Sequence, residues 1–151
     1  MIVKRMSVGD EAIAKLAIQK LKNEAPMHLR VRLDTEYLRE FLSCERNYFL
    51  VTLIGEQPVG FILVYRLMRV DRDQDVMLFY EIVVDVKNRN HGVGKLLIKE
   101  LKNICREEKI MKMWVLTNRS NLAAVGLYKE TGGIEDESGD EVSFTYLPDY
   151  E

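Results

Sequence analysis

The sequence has 151 residues, 47% of them apolar and 30% charged, which suits one compact domain with a core of its own. A net charge of −2 excludes the strongly basic surface of a general nucleic-acid binder, and charged residues interrupt every long apolar stretch, which excludes a membrane span. We therefore expect a single cytoplasmic domain over residues 1–151. Cys44 and Cys105 lie far apart without zinc-site or disulfide spacing, so no metal is expected.

The first third of the chain predicts one strand and two helices. Residues 3–6 are typical of a short strand, Asp10 precedes a helical pattern, and residues 34–36 begin a second helix. The apolar positions expected on the inner faces of these helices are Ile13, Leu16, Ala17 and Leu21 in the first, and Tyr37, Leu38, Phe41 and Leu42 in the second.

Three β-rich runs occupy the middle of the chain, over residues 48–54, 59–70 and 76–86. Turn sequences over residues 55–58 and 71–75 separate them. Short turns between such runs predict an antiparallel meander.

The last third returns to alternating helices and strands. A helix is expected from Gly92, a strand over residues 111–116, a short helix over residues 121–130 and a last strand over residues 141–147. The complete order predicts an α+β fold in which a mixed sheet carries helices on its faces.

A glycine-containing turn begins the helix after the third β-rich run. It reads Arg89-Asn90-His91-Gly92-Val93-Gly94. Glycines at a helix N-terminus let several backbone N–H groups approach one anion, such as a pyrophosphate. A P-loop is excluded because no Ser or Thr follows Lys95, and a Rossmann turn because Leu97 stands where a third glycine is needed. A plain helix start explains the same glycines, so both interpretations stay open at this point.

Charge is distributed unevenly along the chain. After Lys129 the sequence contains acidic residues and no Lys, Arg or His, whereas basic residues gather around the glycine turn. Together the two runs suggest an anionic cofactor and a cationic substrate, although each run alone is also typical of a solvated surface.

Two blocks of the sequence resemble the GNAT superfamily of N-acetyltransferases. The first is the turn from Arg89 to Gly94, and the second is residues 121–132, in which Asn121, Ala124, Tyr128 and Gly132 fit the family pattern. Within the superfamily the chain looks most like the aminoglycoside 3-N-acetyltransferases. Departures are Val86, Asn90 and Gly133, where many members have proline, glycine and an aromatic residue; none of them removes a backbone donor from the turn.

The resemblance implies a twisted, mostly antiparallel central sheet of six to seven strands, with helices on both faces and strands that splay where acetyl-CoA binds. It also implies a homodimer. The residues that the resemblance assigns to acetyl-CoA are Ile82, Val83, Val84, Arg89, Asn90, His91, Gly92, Val93, Gly94, Lys95 and Asn121.

Two side chains are candidates for the proton transfers that amine acetylation requires. Glu81 lies where several amine acetyltransferases have an acidic residue, and we expect it to act as general base; an outward-facing strand carboxylate paired with a Lys or Arg is the alternative. Tyr128 is expected to protonate the departing thiolate, with a core aromatic as the alternative.

These features predict an N-acetyltransferase that moves an acetyl group from acetyl-CoA to a primary amine of a small cationic substrate, for which an aminoglycoside is one candidate. Acetylation of a peptide or protein amine is the alternative within the enzyme class. A CoA-binding module without catalysis is the alternative outside it.

Overall fold

The computed structural model describes residues 1–22, 33–136 and 139. Within them the chain forms five strands and four α-helices. The strands are β1 (Ile2–Arg5), β2 (Asn47–Ile54), β3 (Gln57–Leu67), β4 (Val76–Val84) and β5 (Lys112–Val115). The helices are α1 (Glu11–Leu21), α2 (Thr35–Ser43), α3 (Val93–Glu107) and α4 (Leu122–Glu130).

The strands form one sheet in the order β1-β2-β3-β4-β5. The first three pairings are antiparallel, as the meander predicted, and β4 pairs with β5 in parallel. The parallel pair requires a crossover, which α3 supplies. The predicted strand over residues 141–147 lies outside the described residues.

Apolar side chains cover both faces of the sheet, which confirms the predicted class. One face packs against α3, through Leu97 and Leu101, together with α4 through Leu127. The other face packs against α1 and α2, through Ala17 and Leu38. We call the side of the sheet that packs against α3 and α4 the α3 face, and the other side the α1/α2 face. The face on which a side chain lies decides which helices it can contact.

The helix boundaries follow the predicted start signals, with two differences in detail. Asp34 caps α2 by accepting hydrogen bonds from the N–H groups of Glu36 and Tyr37. Asp10 stands at the N-cap of α1 without a side-chain cap; it binds Lys4 and Ser7 instead. The expected inner positions Leu16 in α1 and Tyr37 in α2 are exposed.

Small residues explain how α1 sits on the sheet. Ala14 and Ala17 are fully buried and let the helix approach closely, while Ile13, Ile18 and Leu21 pack at the edges of the contact. Leu16 lies off this stripe of i, i+3 and i+4 positions and therefore faces outward.

A polar network joins β2, β3, the start of β4 and the end of α3. Arg66 on β3 donates to Asp75 and to Glu108, both at 2.6 Å. The hydroxyl of Tyr48 also donates to Glu108, at 2.6 Å. The network fixes β3 against the start of β4 and the end of α3. No described helix is long and apolar enough to cross a membrane.

Candidate functional site

The sheet opens between β4 and β5 after only four paired residues. Pairing runs from Val76 opposite Lys112 to Phe79 opposite Val115. Strand β5 ends there, whereas β4 continues to Val84 and stays paired with β3 as far as Gly60. The backbone of residues 82–84, which were expected to bind the cofactor arm, therefore lies beyond the β4–β5 ladder and beside the opening.

The glycine turn lies directly beyond this opening. A short 3₁₀ turn over Val86–Asn88 leads to Arg89 and Asn90, and Gly92 is the N-cap of α3. Asn90 and Gly92 have positive φ, 62° and 82°. A left-handed pair of this kind costs little for Gly and Asn and turns the chain sharply into the helix.

The start of α3 presents backbone donors. The first helical hydrogen bond runs from the Leu96 N–H to the Gly92 carbonyl at 2.9 Å. The N–H groups of Val93, Gly94 and Lys95 precede that bond and have no partner inside the helix. Apart from its chain neighbours, no described residue has an atom within 4 Å of where a Gly92 Cβ would be, so the space beside the turn is open.

Arg89 and His91 frame the turn with exposed side chains. The Arg89 Nε donates to the Val84 carbonyl at 3.3 Å, which ties the end of β4 to the turn. The Nδ1 of His91 lies 2.7 Å from the Arg89 carbonyl, within the turn itself. Both contacts stabilise the local backbone conformation.

Close packing links the turn to α4. A Cβ on Gly94 would lie 2.9 Å from a methyl carbon of Leu127, so a larger residue at this position would require the Leu127 side chain to move. Lys95 pairs with Glu130 at 2.8 Å, an exposed contact that strengthens the same junction. Asn121 caps α4 by accepting from the Ala124 N–H at 3.2 Å. The predicted capping role of Asn121 is thus observed.

A β-bulge in β4 determines where Glu81 points. Across the β3–β4 pair, Leu63 is opposite Glu81 but the next residue, Val64, is opposite Phe79, so Tyr80 is an extra residue. Leu63 packs on the α1/α2 face, and residues directly opposite each other share a face. Phe79 packs on the α3 face. The bulge therefore places Glu81 on the α1/α2 face, where strict alternation from Phe79 would have placed it beside α3.

Glu81 forms an ion pair on that face. Its Oε2 lies 2.9 Å from the Nζ of Lys22, the residue that follows α1. The Glu81 side chain is 26% exposed and that of Lys22 is 47% exposed. The structure thus shows the arrangement given as the alternative in the sequence analysis, a strand carboxylate paired with a basic side chain. This ion pair does not test the catalytic role predicted for Glu81.

Aromatic rings lie next to the ion pair. Tyr65 on β3 contacts Tyr80 edge-to-face at 5.6 Å between centroids, and Phe41 of α2 contacts Tyr65 at 6.2 Å. Burial is the main cause that raises the pKa of Tyr65, with contributions from Tyr80, Tyr37 and Glu81. Tyr80 remains 62% exposed, so its ring is available to a ligand.

Tyr128 lies on the opposite face of the sheet. Its ring contacts Phe79 at 5.5 Å between centroids, and burial raises the pKa of its hydroxyl. Together with Val115 and Trp114 it lines a groove of about 840 Å³ along β5 and α4. Glu81 and Tyr128 thus lie on opposite faces of the sheet, and beyond Phe79 strand β4 continues without β5 beside it.

The acidic residues near the end of the described chain have partners of opposite charge. Glu130 pairs with Lys95, and Glu135 pairs with Arg119 and Lys129, which lower the pKa of Glu135. These carboxylates are therefore partly neutralised within the protein. Most of the acidic run that suggested a cationic substrate lies outside the described residues.

Sequence reasoning missed Lys22, Tyr65 and Tyr80. Lys22 is 59 positions from its partner, and no motif connects the two. In the sequence, Tyr65 and Tyr80 have the pattern of ordinary strand residues. Only the register shift shows that the consecutive residues Tyr80 and Glu81 share a face of the sheet. Among residues 1–22, 33–136 and 139, no group of three or more His, Cys, Asp or Glu side chains is placed to hold a metal ion.

Comparisons with known proteins agree with this geometry. A model of the acetyltransferase (GNAT) family matches residues 14–133, well over half of the chain. A search of the curated proteins finds no match.

Solved structures show the same fold at low sequence identity. An aminoglycoside acetyltransferase from an uncultured soil metagenomic sample, in complex with trehalose, is similar with a TM-score of 0.89 and 22% identity, over 98% of this chain and 96% of that chain. That enzyme in complex with sisomicin gives 0.89 and 21% over the same shares. The ribosomal-protein-alanine N-acetyltransferase from Brucella melitensis biovar Abortus 2308 gives 0.68 and 20%, over 95% and 100%.

Proposed function

Because the match over residues 14–133 shows that the chain belongs to the acetyltransferase (GNAT) family, we propose that it transfers the acetyl group of acetyl-CoA to a primary amine of a small cationic molecule. An aminoglycoside is one candidate acceptor. The observation that carries the proposal is the β4 bulge, which turns Glu81 toward the α1/α2 face at the level where β4 and β5 part.

The residues of the glycine turn fit the pyrophosphate of acetyl-CoA. The N–H groups of Val93, Gly94 and Lys95 point out of the start of α3, where the helix dipole favours an anion. Gly92 leaves open space beside them, and the exposed Arg89 and Lys95 add positive charge. The Lys95–Glu130 contact is solvent-exposed, so it costs little to rearrange.

The bound acetyl-CoA would supply the acetyl thioester, and the protein would supply its orientation. The backbone of Ile82, Val83 and Val84 lies beside the opening. In the register with β3, where the Asp85 N–H donates to the Val59 carbonyl, alternate N–H groups face away from β3, so those of Ile82 and Val84 would be offered to the cofactor arm and to the carbonyl oxygen, where negative charge develops during attack. His91 and Asn90 complete the turn, and Asn121, which caps the start of α4, would bond the cofactor arm.

The acceptor nitrogen loses two protons in the reaction and the sulfur of CoA gains one. The first nitrogen proton leaves before attack, and the second is released to solvent as the C–N bond forms and the C–S bond breaks. A primary amine is protonated at neutral pH, with a pKa of about 10.4 in model compounds, so it must lose a proton before it attacks. Glu81 would accept that proton on the α1/α2 face. Tyr128 would donate its hydroxyl proton to the sulfur of the departing thiolate from the α3 face, and its raised pKa keeps that proton in place until the thiolate forms.

A panel assay of CoA thiol release tests the proposal. Aminoglycosides, polyamines, free amino acids and peptide amines would each be offered with acetyl-CoA. Turnover with the small cationic amines supports it. Turnover confined to peptide amines would support the protein-acetylating alternative, and tight CoA binding without turnover on any amine would support a non-catalytic module. Dimerisation stays a prediction, which sedimentation at micromolar concentration tests.

A further inference from the structure

The residues around Glu81 offer more than a general base, and the subsite inferred from them rests on the proposed function. The bulge places two consecutive side chains, Tyr80 and Glu81, on one face of the sheet. A carboxylate beside an exposed aromatic ring is the combination that attracts an organic cation, through charge and through the face of the ring. The α1/α2 face therefore has the chemistry of an ammonium site.

The exposed ring of Tyr80 is supported by two further aromatic side chains. Phe41 of α2 packs edge-on against Tyr65 with an interplanar angle of 88°, and Tyr65 packs edge-on against Tyr80 at 79°. Phe41 in turn contacts the core of the α1/α2 face, while Tyr80 is mostly exposed. The Tyr80 ring thus presents a supported apolar surface next to the carboxylate.

A cation of the protein already pairs with the carboxylate of this site. The Nζ of Lys22 lies 2.9 Å from Glu81 Oε2, and it is a primary ammonium, the same group that a protonated amine acceptor carries. Lys22 is about half exposed and follows the last residue of α1, so its side chain can leave without disturbing the helix. Exposed ion pairs of this kind contribute little to stability, and an incoming ammonium can displace the lysine.

We propose that Glu81, Tyr65 and Tyr80 form the ammonium subsite of the acceptor, and that Lys22 occupies it until an acceptor displaces it. The site would take a primary ammonium on an aliphatic ring or chain, with the charge on Glu81 and the apolar face on Tyr80. Lys22 is then a specificity residue, because it competes with every cationic acceptor and sets the affinity that an acceptor must exceed.

Binding of a simple probe tests the subsite without relying on turnover. Cyclohexylammonium has a primary ammonium on an aliphatic ring, and cyclohexanol has the same shape without the charge. Both would be titrated into the full chain labelled with ¹³C on the tyrosine rings, and the variants Tyr65→Phe and Tyr80→Phe would assign the signals. We expect cyclohexylammonium, and not cyclohexanol, to shift the signals of Tyr80 and Tyr65.

Removal of the competing lysine gives the sharper result. Lys22→Met keeps the length of the side chain without its charge and should tighten the Kd of cyclohexylammonium about two- to fivefold, the range that exposed ion pairs contribute. Glu81→Gln should weaken the Kd by at least the same two- to fivefold factor. Lys20→Met is the matched control, because Lys20 lies near the end of α1 and donates to the Pro58 carbonyl, not to Glu81; it should leave the Kd unchanged.

An unchanged or weaker Kd in Lys22→Met would overturn the proposal, as would shifts confined to other tyrosines. This result is separate from the thiol-release assay. If amines are acetylated but Lys22→Met leaves the Kd of cyclohexylammonium unchanged, the acceptor binds elsewhere and the acetyltransferase reaction still stands. A tightened Kd without turnover on any amine would keep the subsite and refute the reaction.

Discussion

The glycine turn and the α1/α2 face around Glu81 are built in different ways. The turn offers backbone N–H groups from consecutive residues at the start of one helix, and its side chains are mostly exposed. The α1/α2 face offers side chains from α2, β3, β4 and the end of α1, which meet only in the folded protein. Cofactor binding therefore depends on local backbone shape, whereas acceptor binding depends on register and packing.

Because of this difference, substitutions should separate the two regions. A side-chain change on the α1/α2 face should alter kinetics toward the amine and leave CoA affinity intact. A backbone change in the turn should do the opposite. Four variants follow, ordered by the size of the change that we expect. Glu81→Gln and Gly92→Ala test that separation, and Tyr128→Phe and Asp75→Asn test groups outside the two regions.

Glu81→Gln should lower kcat/KM for amine acceptors about 100- to 10,000-fold, the range expected when a general base is removed. The Kd for CoA, measured by calorimetry, should stay at the wild-type value because the turn is untouched. Glu56→Gln, in the exposed turn between β2 and β3, is the matched control. Equal rates in Glu81→Gln and wild type would remove Glu81 from the reaction.

Tyr128→Phe should lower kcat about 10- to 100-fold with little change in the KM for acetyl-CoA, because only the proton donor is lost. Since burial raises the pKa of Tyr128 above its ordinary value of 10.0, its proton is retained below that pH and lost only as the pH rises through the higher value. The kcat of the wild type should therefore show no alkaline fall due to Tyr128 below pH 10.0. A fall near neutral pH that Tyr128→Phe abolishes would contradict the assignment.

Gly92→Ala should weaken CoA binding about tenfold, since a left-handed backbone costs an alanine roughly 1–2 kcal/mol and the turn would shift to relieve it. Gly55→Ala is a matched control, because Gly55 also has a positive φ, 59°, and lies in open space among the described residues. Both variants should lose similar stability in urea unfolding, and only Gly92→Ala should lose CoA affinity. An equal loss of affinity in both would show that the effect is global.

Asp75→Asn should change function least, with a modest loss of stability and no change in the Kd for CoA or for cyclohexylammonium. The hydrogen bond from Arg66 lowers the pKa of Asp75 below 3.8, so its contribution is present at neutral pH and disappears as the pH falls through the lowered pKa. The Tm difference from wild type should therefore vanish in acid.

Asp71→Asn is the control for that variant. Asp71 also has a lowered pKa, but its partner Arg69 is two residues away, so the pair can persist in the unfolded chain and should contribute less to stability. A larger loss in Asp71→Asn than in Asp75→Asn would contradict the role given to the network.

Local patterns in the sequence were sufficient for the helices, the meander and the glycine turn. The signals for a turn and a helix start lie within a few residues of each other, as at Asp34 or Gly92. The ends of strands were less predictable. The strand expected to reach Val70 ends at Leu67. Met68 and Val70 are exposed and pair with no strand among the described residues.

The acceptor side could be predicted only in part. The presence of Glu81 in an apolar run was visible, but its direction was not, since Phe79-Tyr80-Glu81-Ile82 alternates no differently from a regular strand. Direction depends on the register with β3, a property of two strands together. The partner Lys22 depends on how α1 packs, which propensity cannot specify.

The bulge in β4 also makes the strand unequally sensitive to changes in chain length. Loss of Tyr80 would make Phe79 and Glu81 direct neighbours on opposite faces, so the other side chains of β4 would keep their present sides. After deletion of Ile82, the side chains of β4 cannot all keep their present faces. Either Val83 and Val84 exchange faces, or the bulge is lost and the carboxylate of Glu81 enters the apolar layer beneath α3. Deletion of Tyr80 should therefore remove only one ring of the ammonium subsite, whereas deletion of Ile82 should unfold this edge of the sheet.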